Sequence, residues 1–195
     1  MCVTDFDGST LWSNTWEGVS QGQEWQNVGS ALQLNHPCGV SCCSVGGGRG
    51  RLAVADCYNN RVGVFLPPSL QPAGADADAE ATDAANVTWS TCPLSHPTGV
   101  CWSRDNSCVA VADFDSGRVL WLRGGDLEVE AEATMGVGGG ARCRPYDVEC
   151  VGEEVWVVTD CVSSRVLLLQ RDSRLKGGVA AVGSAAMIVS APLSS

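Results

Sequence analysis

Short apolar stretches, each closed by a polar turn, recur along this 195-residue chain. In the clearest case, residues 52–55 are continuously apolar and end in Asp56, and a turn then leads to a second apolar stretch that begins at Arg61. Continuous apolar runs of this length between turn residues are typical of strands that are covered on both faces. The pattern therefore predicts an all-β protein built from hairpins.

The hairpin recurs with the same internal spacing. Each complete copy ends its first strand in an aspartate and begins its second strand with an arginine five positions later: Asp56 and Arg61, Asp113 and Arg118, Asp160 and Arg165. A partial copy opens the chain, with Asp5 at the aspartate position and Thr10 at the arginine position. A β-rich unit that recurs about every 50 residues predicts the blades of a β-propeller.

These six charged residues are predicted to be structural. The aspartate can accept hydrogen bonds from backbone N–H groups of the turn, and the arginine returns beside it across the hairpin to form a charge-assisted pair. A carboxylate that is present once in every blade belongs to the framework more plausibly than to a single active site. We therefore expect no catalytic residue among them.

The best copy, residues 36–65, opens with Pro37, Gly39 and Val40 and continues through residues 54–56 and 59–62 as Val-Ala-Asp and Asn-Asn-Arg-Val. It resembles the NHL repeat family of β-propellers, which has a Pro-x-Gly-Val opening and a Val-Ala-Asp-x-x-Asn-x-Arg-Val centre. The resemblance covers roughly residues 1–12 and 25–183. The copy at 144–169 lacks the glycine after proline and has a Ser-Ser pair at 163–164 in place of the Asn pair. The resemblance implies a propeller fold, and the functions of this family are diverse.

We predict a single propeller region over residues 1–195, with about four blade equivalents that form an incomplete arc of a larger propeller. The predicted units are residues 1–12 (partial), 25–65, 89–122, 134–169 and 177–190 (partial). Residues 66–88 are acidic and rich in alanine and proline, which predicts an inserted loop. An alternative is that residues 186–190 pair with the N-terminal hairpin and close a four-bladed ring.

The charge narrows the classes of function. Twelve Lys and Arg residues stand against 22 Asp and Glu, and the net charge is −10. This balance argues against nucleic-acid binding and against docking on an anionic membrane. The sequence shows no signal-peptide pattern and no apolar run long enough to cross a membrane, so we expect an intracellular protein.

Candidate metal and cofactor ligands are sparse. The two histidines, His36 and His96, each precede a proline at the same repeat position, which favours a structural role. A cluster of His36 with Cys38, Cys42 and Cys43 is a weak metal candidate, because no C-x-x-C spacing accompanies it. The acidic residues at 76–80 lack the glycine and the closing glutamate of a calcium loop, and the glycines at 136–140 lack the Lys-Ser/Thr of a phosphate loop. We predict no metal and no cofactor.

Propellers bind their ligands through loops at one end and at the central channel. We therefore predict a non-catalytic scaffold that binds a protein or peptide partner, and open strand edges would also allow self-association. The alternative implied by the resemblance is a lactonase-like or amidating-lyase-like enzyme with a metal in the central channel.

Overall fold

The computed structural model describes residues 2–13, 19–27, 32–43, 50–66, 87–135 and 143–171. Within these ranges the strands form four antiparallel sheets. The strands are β1 (Cys2–Asp5), β2 (Thr10–Ser13) and β3 (Gln26–Asn27) in the first sheet; β4 (Pro37–Cys42), β5 (Leu52–Asp56), β6 (Arg61–Phe65) and β7 (Thr88–Trp89) in the second; β8 (Pro97–Trp102), β9 (Cys108–Asp113), β10 (Arg118–Arg123) and β11 (Val129–Thr134) in the third; and β12 (Pro145–Cys150), β13 (Val155–Asp160) and β14 (Arg165–Gln170) in the fourth.

Each sheet is a meander in which consecutive strands are neighbours. The first strands of the later sheets contact one another, β4 with β8 and β8 with β12, while β1 contacts β4. The sheets therefore follow one another around a common centre, as propeller blades do, and the later strands of each sheet lie progressively further out. The predicted all-β class with about four blade equivalents is confirmed.

Close approach of the inner strands depends on the glycines of the Pro-x-Gly-Val opening. A Cβ on Gly39 would lie 2.6 Å from the Thr98 carbonyl oxygen, and one on Gly99 would lie 2.7 Å from the Asp147 Cα. Any larger residue would push neighbouring blades apart. The fourth sheet has Asp147 at this position, and no described inner strand lies beyond it.

The hairpin turns share one backbone feature. The residue that precedes the arginine position has a positive φ in all four sheets, at Ser9 (50°), Asn60 (53°), Gly117 (67°) and Ser164 (50°). Left-handed backbone favours glycine and asparagine, which explains why the repeat has Asn60 and Gly117 there. The turn then returns the arginine opposite the aspartate, as in the paired residues Asp56 and Arg61.

Two short outer strands lie near predicted unit boundaries, and each pairs with the preceding sheet. Trp89, predicted to open a blade, pairs with Gly63 in β6, and Thr88, predicted to lie in the inserted loop, pairs with Val64. The Trp89 ring occupies the space above Gly63, where a Cβ would lie 2.5 Å from its Cζ3 atom. Likewise β3, predicted within the unit 25–65, pairs with β2 of the first sheet.

The first sheet lacks an inner strand within the described residues. By its Val-Thr-Asp sequence, β1 corresponds to β5, β9 and β13, each of which pairs with an inner strand on one side and an outer strand on the other. In the described part of the chain β1 pairs with β2 alone. Residues 186–190, considered as the partner of the N-terminal hairpin, lie outside the described residues, as do the rest of the predicted unit 177–190 and most of the predicted loop at 66–88.

The aspartates are fully enclosed where the hairpins close. Asp56, Asp113 and Asp160 are 0%, 0% and 1% exposed. An Asp56 oxygen lies 2.7 Å from Arg61 Nε, an Asp113 oxygen 2.8 Å from Arg118 Nε, and an Asp160 oxygen 3.4 Å from an Arg165 guanidinium nitrogen. A buried charge is tolerated only when it is paired and hydrogen-bonded, and these contacts offset the cost of burying the three carboxylates.

Replacing Asp113 by alanine should lower the free energy of unfolding by about 1–3 kcal/mol, because the Arg118 guanidinium and a backbone N–H lose their acceptor. Denaturant unfolding measures the change. The matched control is Asp126→Ala, which removes an exposed pair with Arg123 at 2.7 Å and should cost no more than about 0.5 kcal/mol. Equal effects of the two substitutions would contradict a structural role for Asp113.

Candidate binding site at the channel mouth

The second oxygen of each buried aspartate holds the loop that enters the inner strand of the same sheet. Asp56 Oδ1 accepts from the Asn35 N–H at 2.6 Å, and Asp113 Oδ1 accepts from the Ser95 N–H at 2.6 Å. In the fourth sheet Asp160 Oδ1 accepts from the N–H of Arg144 at 3.0 Å. The framework therefore fixes the residue before each inner-strand proline at one end of the channel.

His36 and His96 occupy two of these positions in an unfavourable backbone conformation. Their φ angles are 50° and 54°. Left-handed backbone is uncommon for residues other than glycine, and a following proline further restricts the residue. Such strain persists only where surrounding contacts enforce it, and it is common at functional sites. The sequence predicts a structural role for the two histidines. In the structure their side chains are half-buried and reach the surface.

The two histidines join an exposed aromatic group. The His36 ring stacks on Tyr58, with centroids 4.3 Å apart, and Phe6 packs edge-on against His36 at 4.6 Å. His96 packs edge-on against the other side of Tyr58 at 5.1 Å. Phe6 is 41% exposed and Tyr58 is 49% exposed. Three successive sheets therefore contribute to one surface of rings.

A polar link continues this surface to the fourth sheet. His96 Nδ1 lies 2.7 Å from one Asp115 oxygen, and an Arg144 guanidinium nitrogen lies 3.4 Å from the other. The Arg144 guanidinium lies over Phe114 at 5.1 Å, and Phe114 packs edge-on near Tyr146. We call this surface the mouth strip; its residues are Phe6, His36, Tyr58, His96, Phe114, Asp115, Arg144 and Tyr146.

A cavity of about 480 Å³ adjoins the mouth strip between the inner strands. Phe6 and Tyr146 belong to both, so the strip and the cavity are continuous. The charged residues that line the cavity are Asp147 and Glu149, and no basic side chain of the described residues lines it. A volume of this size lies in the range of ligand pockets.

The cavity wall includes a polarised thiol at Cys38. A hydrogen bond from the Cys57 thiol lowers the pKa of Cys38, and burial opposes this shift. The same hydrogen bond and burial raise the pKa of Cys57. Cys57 is buried, and sequence reasoning did not detect its contact with Cys38.

The metal cluster considered at His36, Cys38, Cys42 and Cys43 is not formed. Cys43 is buried and accepts a hydrogen bond from the Arg51 N–H, while His36 Nδ1 lies 2.8 Å from Asn35 Oδ1. Across the described ranges, no three His, Cys, Asp or Glu side chains are grouped so that they could hold a metal ion. No helix there is long and apolar enough to cross a membrane.

Comparisons with known proteins identify the fold of this chain but not its activity. No family model matches the sequence, and no curated protein sequence matches it. Among solved structures, one similar protein is virginiamycin B lyase from Staphylococcus aureus, as a catalytically inactive H270A variant with quinupristin. It superposes with a TM-score of 0.56 and 13% sequence identity, and the match covers 86% of this chain and 47% of the lyase. A streptogramin B lyase superposes with a TM-score of 0.57 and 8% identity over 86% of this chain and 46% of the other.

A hydrazine synthase from Kuenenia stuttgartiensis is also similar, with a TM-score of 0.50 and 12% identity over 69% of this chain and 32% of that chain. The lyases are β-propellers, so this chain has the fold of a partial β-propeller. It spans about half the length of the lyases it matches. At these identities the likeness establishes the fold alone.

The hydrogen bonds at Asp160 generate a pH prediction. Burial disfavours the ionised carboxylate, but hydrogen bonds from the Arg144 N–H, Ser163 and Cys143 outweigh it and lower the pKa of Asp160 to about 2. Because the folded pKa lies below the ordinary value, the ionised carboxylate stabilises the fold above about pH 4, and this contribution is lost as the pH falls towards 2. Thermal unfolding of Asp160→Asn should show a smaller loss of stability over that interval than the wild type. Identical slopes would contradict the assignment.

Proposed function

We propose that the mouth strip binds a peptide segment of a partner protein and that the chain is a non-catalytic, NHL-type scaffold. The observation that carries this proposal is a surface of exposed and half-buried aromatic and histidine rings at one end of the channel. Adjoining sheets contribute the rings, and Asp115 and Arg144 link its two groups. Soluble proteins rarely expose such surfaces without a use for them. Aromatic side chains also dominate the binding energy of protein interfaces.

The rings pack against one another without a ligand. Tyr58 lies between His36 and His96, and Phe6 contacts both Tyr58 and His36. Side chains held in one arrangement lose little conformational entropy on binding, which increases affinity. Each histidine ring and the tyrosine hydroxyl add polar groups, which a peptide backbone can use for hydrogen bonds.

Charge favours a basic peptide. The cavity that adjoins the strip is lined by the carboxylates Asp147 and Glu149, and the whole chain carries a net charge of −10. A lysine or arginine side chain of the peptide can enter the cavity while neighbouring residues of the peptide lie on Phe6 and Tyr146. An acidic surface also accelerates the encounter with a basic partner.

The NHL assignment draws support from the hairpin geometry. In the second and third sheets the repeat aspartate binds the repeat arginine with one oxygen and the entering loop with the other. The family signature couples the same residue types at this spacing, and Asn59 Nδ2 also donates to Asp56 at 2.8 Å. These contacts give a physical reason for the residue types and the spacing of the signature in this chain.

Screening a random peptide library against the whole chain tests the scaffold role. We expect selected peptides to contain a basic residue, and Tyr58→Ala and Tyr146→Ala to weaken their binding at least tenfold in calorimetry. Val129→Ala, an exposed apolar residue on the outer strand β11, is the control and should leave affinity unchanged. Peptides whose binding is insensitive to both tyrosine substitutions would contradict the proposal.

A second candidate function is an enzyme that acts in the channel, because the carboxylates Asp147 and Glu149 line the cavity. The described residues group no three ligands that could hold a metal ion there, so the metal predicted for this alternative draws no support from them. This role predicts lactone hydrolysis or an elimination that depends on a divalent cation and falls at least a hundredfold in Glu149→Gln. Turnover that survives Glu149→Gln, or no turnover with Mg²⁺, Ca²⁺ or Zn²⁺, would exclude it.

A further inference from the structure

Adjacent sheets pack through one repeated pair of faces. Within each hairpin, alternate residues form a front face, which consists of the cross-strand pairs Ala53–Val64 and Ala55–Val62 in the second sheet and Ala110–Trp121 and Ala112–Val119 in the third. All eight side chains are buried. The opposite side of the following sheet, its back face, covers them and includes Val109 and Val111 in the third sheet and Trp156 and Val158 in the fourth.

The fourth sheet has a front face that no described sheet covers. The equivalent cross-strand pairs are Val157–Leu168 and Thr159–Val166, and all four side chains are uncharged. Val166 is 41% exposed and the other three are half-buried. The strand β13 alternates between buried and half-buried residues, whereas β9 is buried throughout. The difference arises because β9 has a neighbouring sheet on both sides.

The first sheet presents the complementary surface. Its cross-strand pair Val3–Trp12 corresponds to Val54–Gly63 of the second sheet and Val111–Leu120 of the third. In those sheets the pair faces the preceding sheet. Val3 is 46% exposed and Trp12 is half-buried. Within the described residues, a front face on the fourth sheet and a back face on the first sheet are therefore uncovered. These are the two halves of the contact that joins the blades within the chain.

We propose that a second copy of this chain covers both faces. The front face of the fourth sheet in each copy packs on the back face of the first sheet in the other copy. Each contact joins a front face to a back face, so it is a head-to-tail contact. With a two-fold axis along the channel, two such contacts close the ring. The four sheets of each copy then give eight blades, which lies within the range of known propellers.

Three observations favour a second copy as the occupant. The chain spans 47% and 46% of the lyase propellers, so about two such arcs make one ring. The front-to-back contact already joins consecutive sheets within the chain, so the repeat supplies the backbone arrangement of this contact. The uncovered pairs are apolar or uncharged, so the contact brings no like charges of these pairs together. This inference does not depend on the proposed peptide site.

Sedimentation velocity of the whole chain over a wide concentration range tests the assembly. We expect a species of twice the 20.3 kDa of one chain. Val166→Lys on the front face and Val3→Lys on the back face should each raise the half-dissociation concentration at least tenfold. Val129→Lys is the matched control, because Val129 is also 41% exposed but lies on the outer strand β11, and it should leave the dimer intact. Circular dichroism and thermal unfolding confirm that each variant folds.

A mixture of the two variants separates this geometry from any other dimer. One contact in the mixed pair joins two altered faces, and the other joins two unaltered faces. Mixing Val166→Lys with Val3→Lys should therefore restore a species of twice the chain mass, which neither variant forms alone at the same concentration.

Four results would overturn the proposal: a wild-type monomer at every concentration, open-ended polymers, equal sensitivity to Val129→Lys, or no recovery on mixing. A monomer would indicate closure by residues 172–195 of the same chain or by blades of another protein.

Discussion

The buried aspartate of each hairpin is the interaction on which the rest of the structure depends. In the second and third sheets, one oxygen of Asp56 or Asp113 binds an arginine across the turn, and the other binds the loop that enters the inner strand. A carboxylate with no exposure needs all of these partners, so the hairpin and the loop are stabilised together or not at all. That coupling fixes the residue before each inner-strand proline, and hence places His36 and His96 at the channel mouth. The same buried carboxylates therefore hold the hairpins and position the loops of the candidate site.

The fourth sheet shows how a departure from the repeat alters this arrangement. Arg165 lies further from Asp160 than its counterparts do from theirs, and its buried Nε has no hydrogen-bond partner. Asp147 occupies the position that glycine has in the other two openings. Its side chain stands where the inner strand of a next blade would approach, and it lines the cavity. The same substitution that would prevent close packing therefore supplies a carboxylate to the channel. The departure from the repeat and the additional carboxylate in the channel are therefore both due to Asp147.

Periodicity sufficed to predict the sheets, but not the site. The Asp–Arg spacing is local, so it is visible in a single chain and identifies the hairpins that the structure contains. The short outer strands β3 and β7 were missed because two paired residues leave no apolar pattern. The mouth strip was missed because its contacts join turns of different blades, such as Tyr58 with His96. An available signal was the aromatic character of positions just after the aspartates, at Phe6, Tyr58 and Phe114.

The strands that bound the cavity belong to the same sheets that would take part in ring closure. The cavity beside the mouth strip is bounded by the inner strands of successive sheets, including Thr4 on β1 and Glu149 on β12. These strands belong to the first and fourth sheets, which are also the sheets whose faces the described residues leave uncovered. Packing of further blades on Val3 or Val166 would restrain both walls of the cavity, and a more rigid wall loses less entropy when a ligand binds. Assembly at the arc ends therefore acts on the same strands that form the channel.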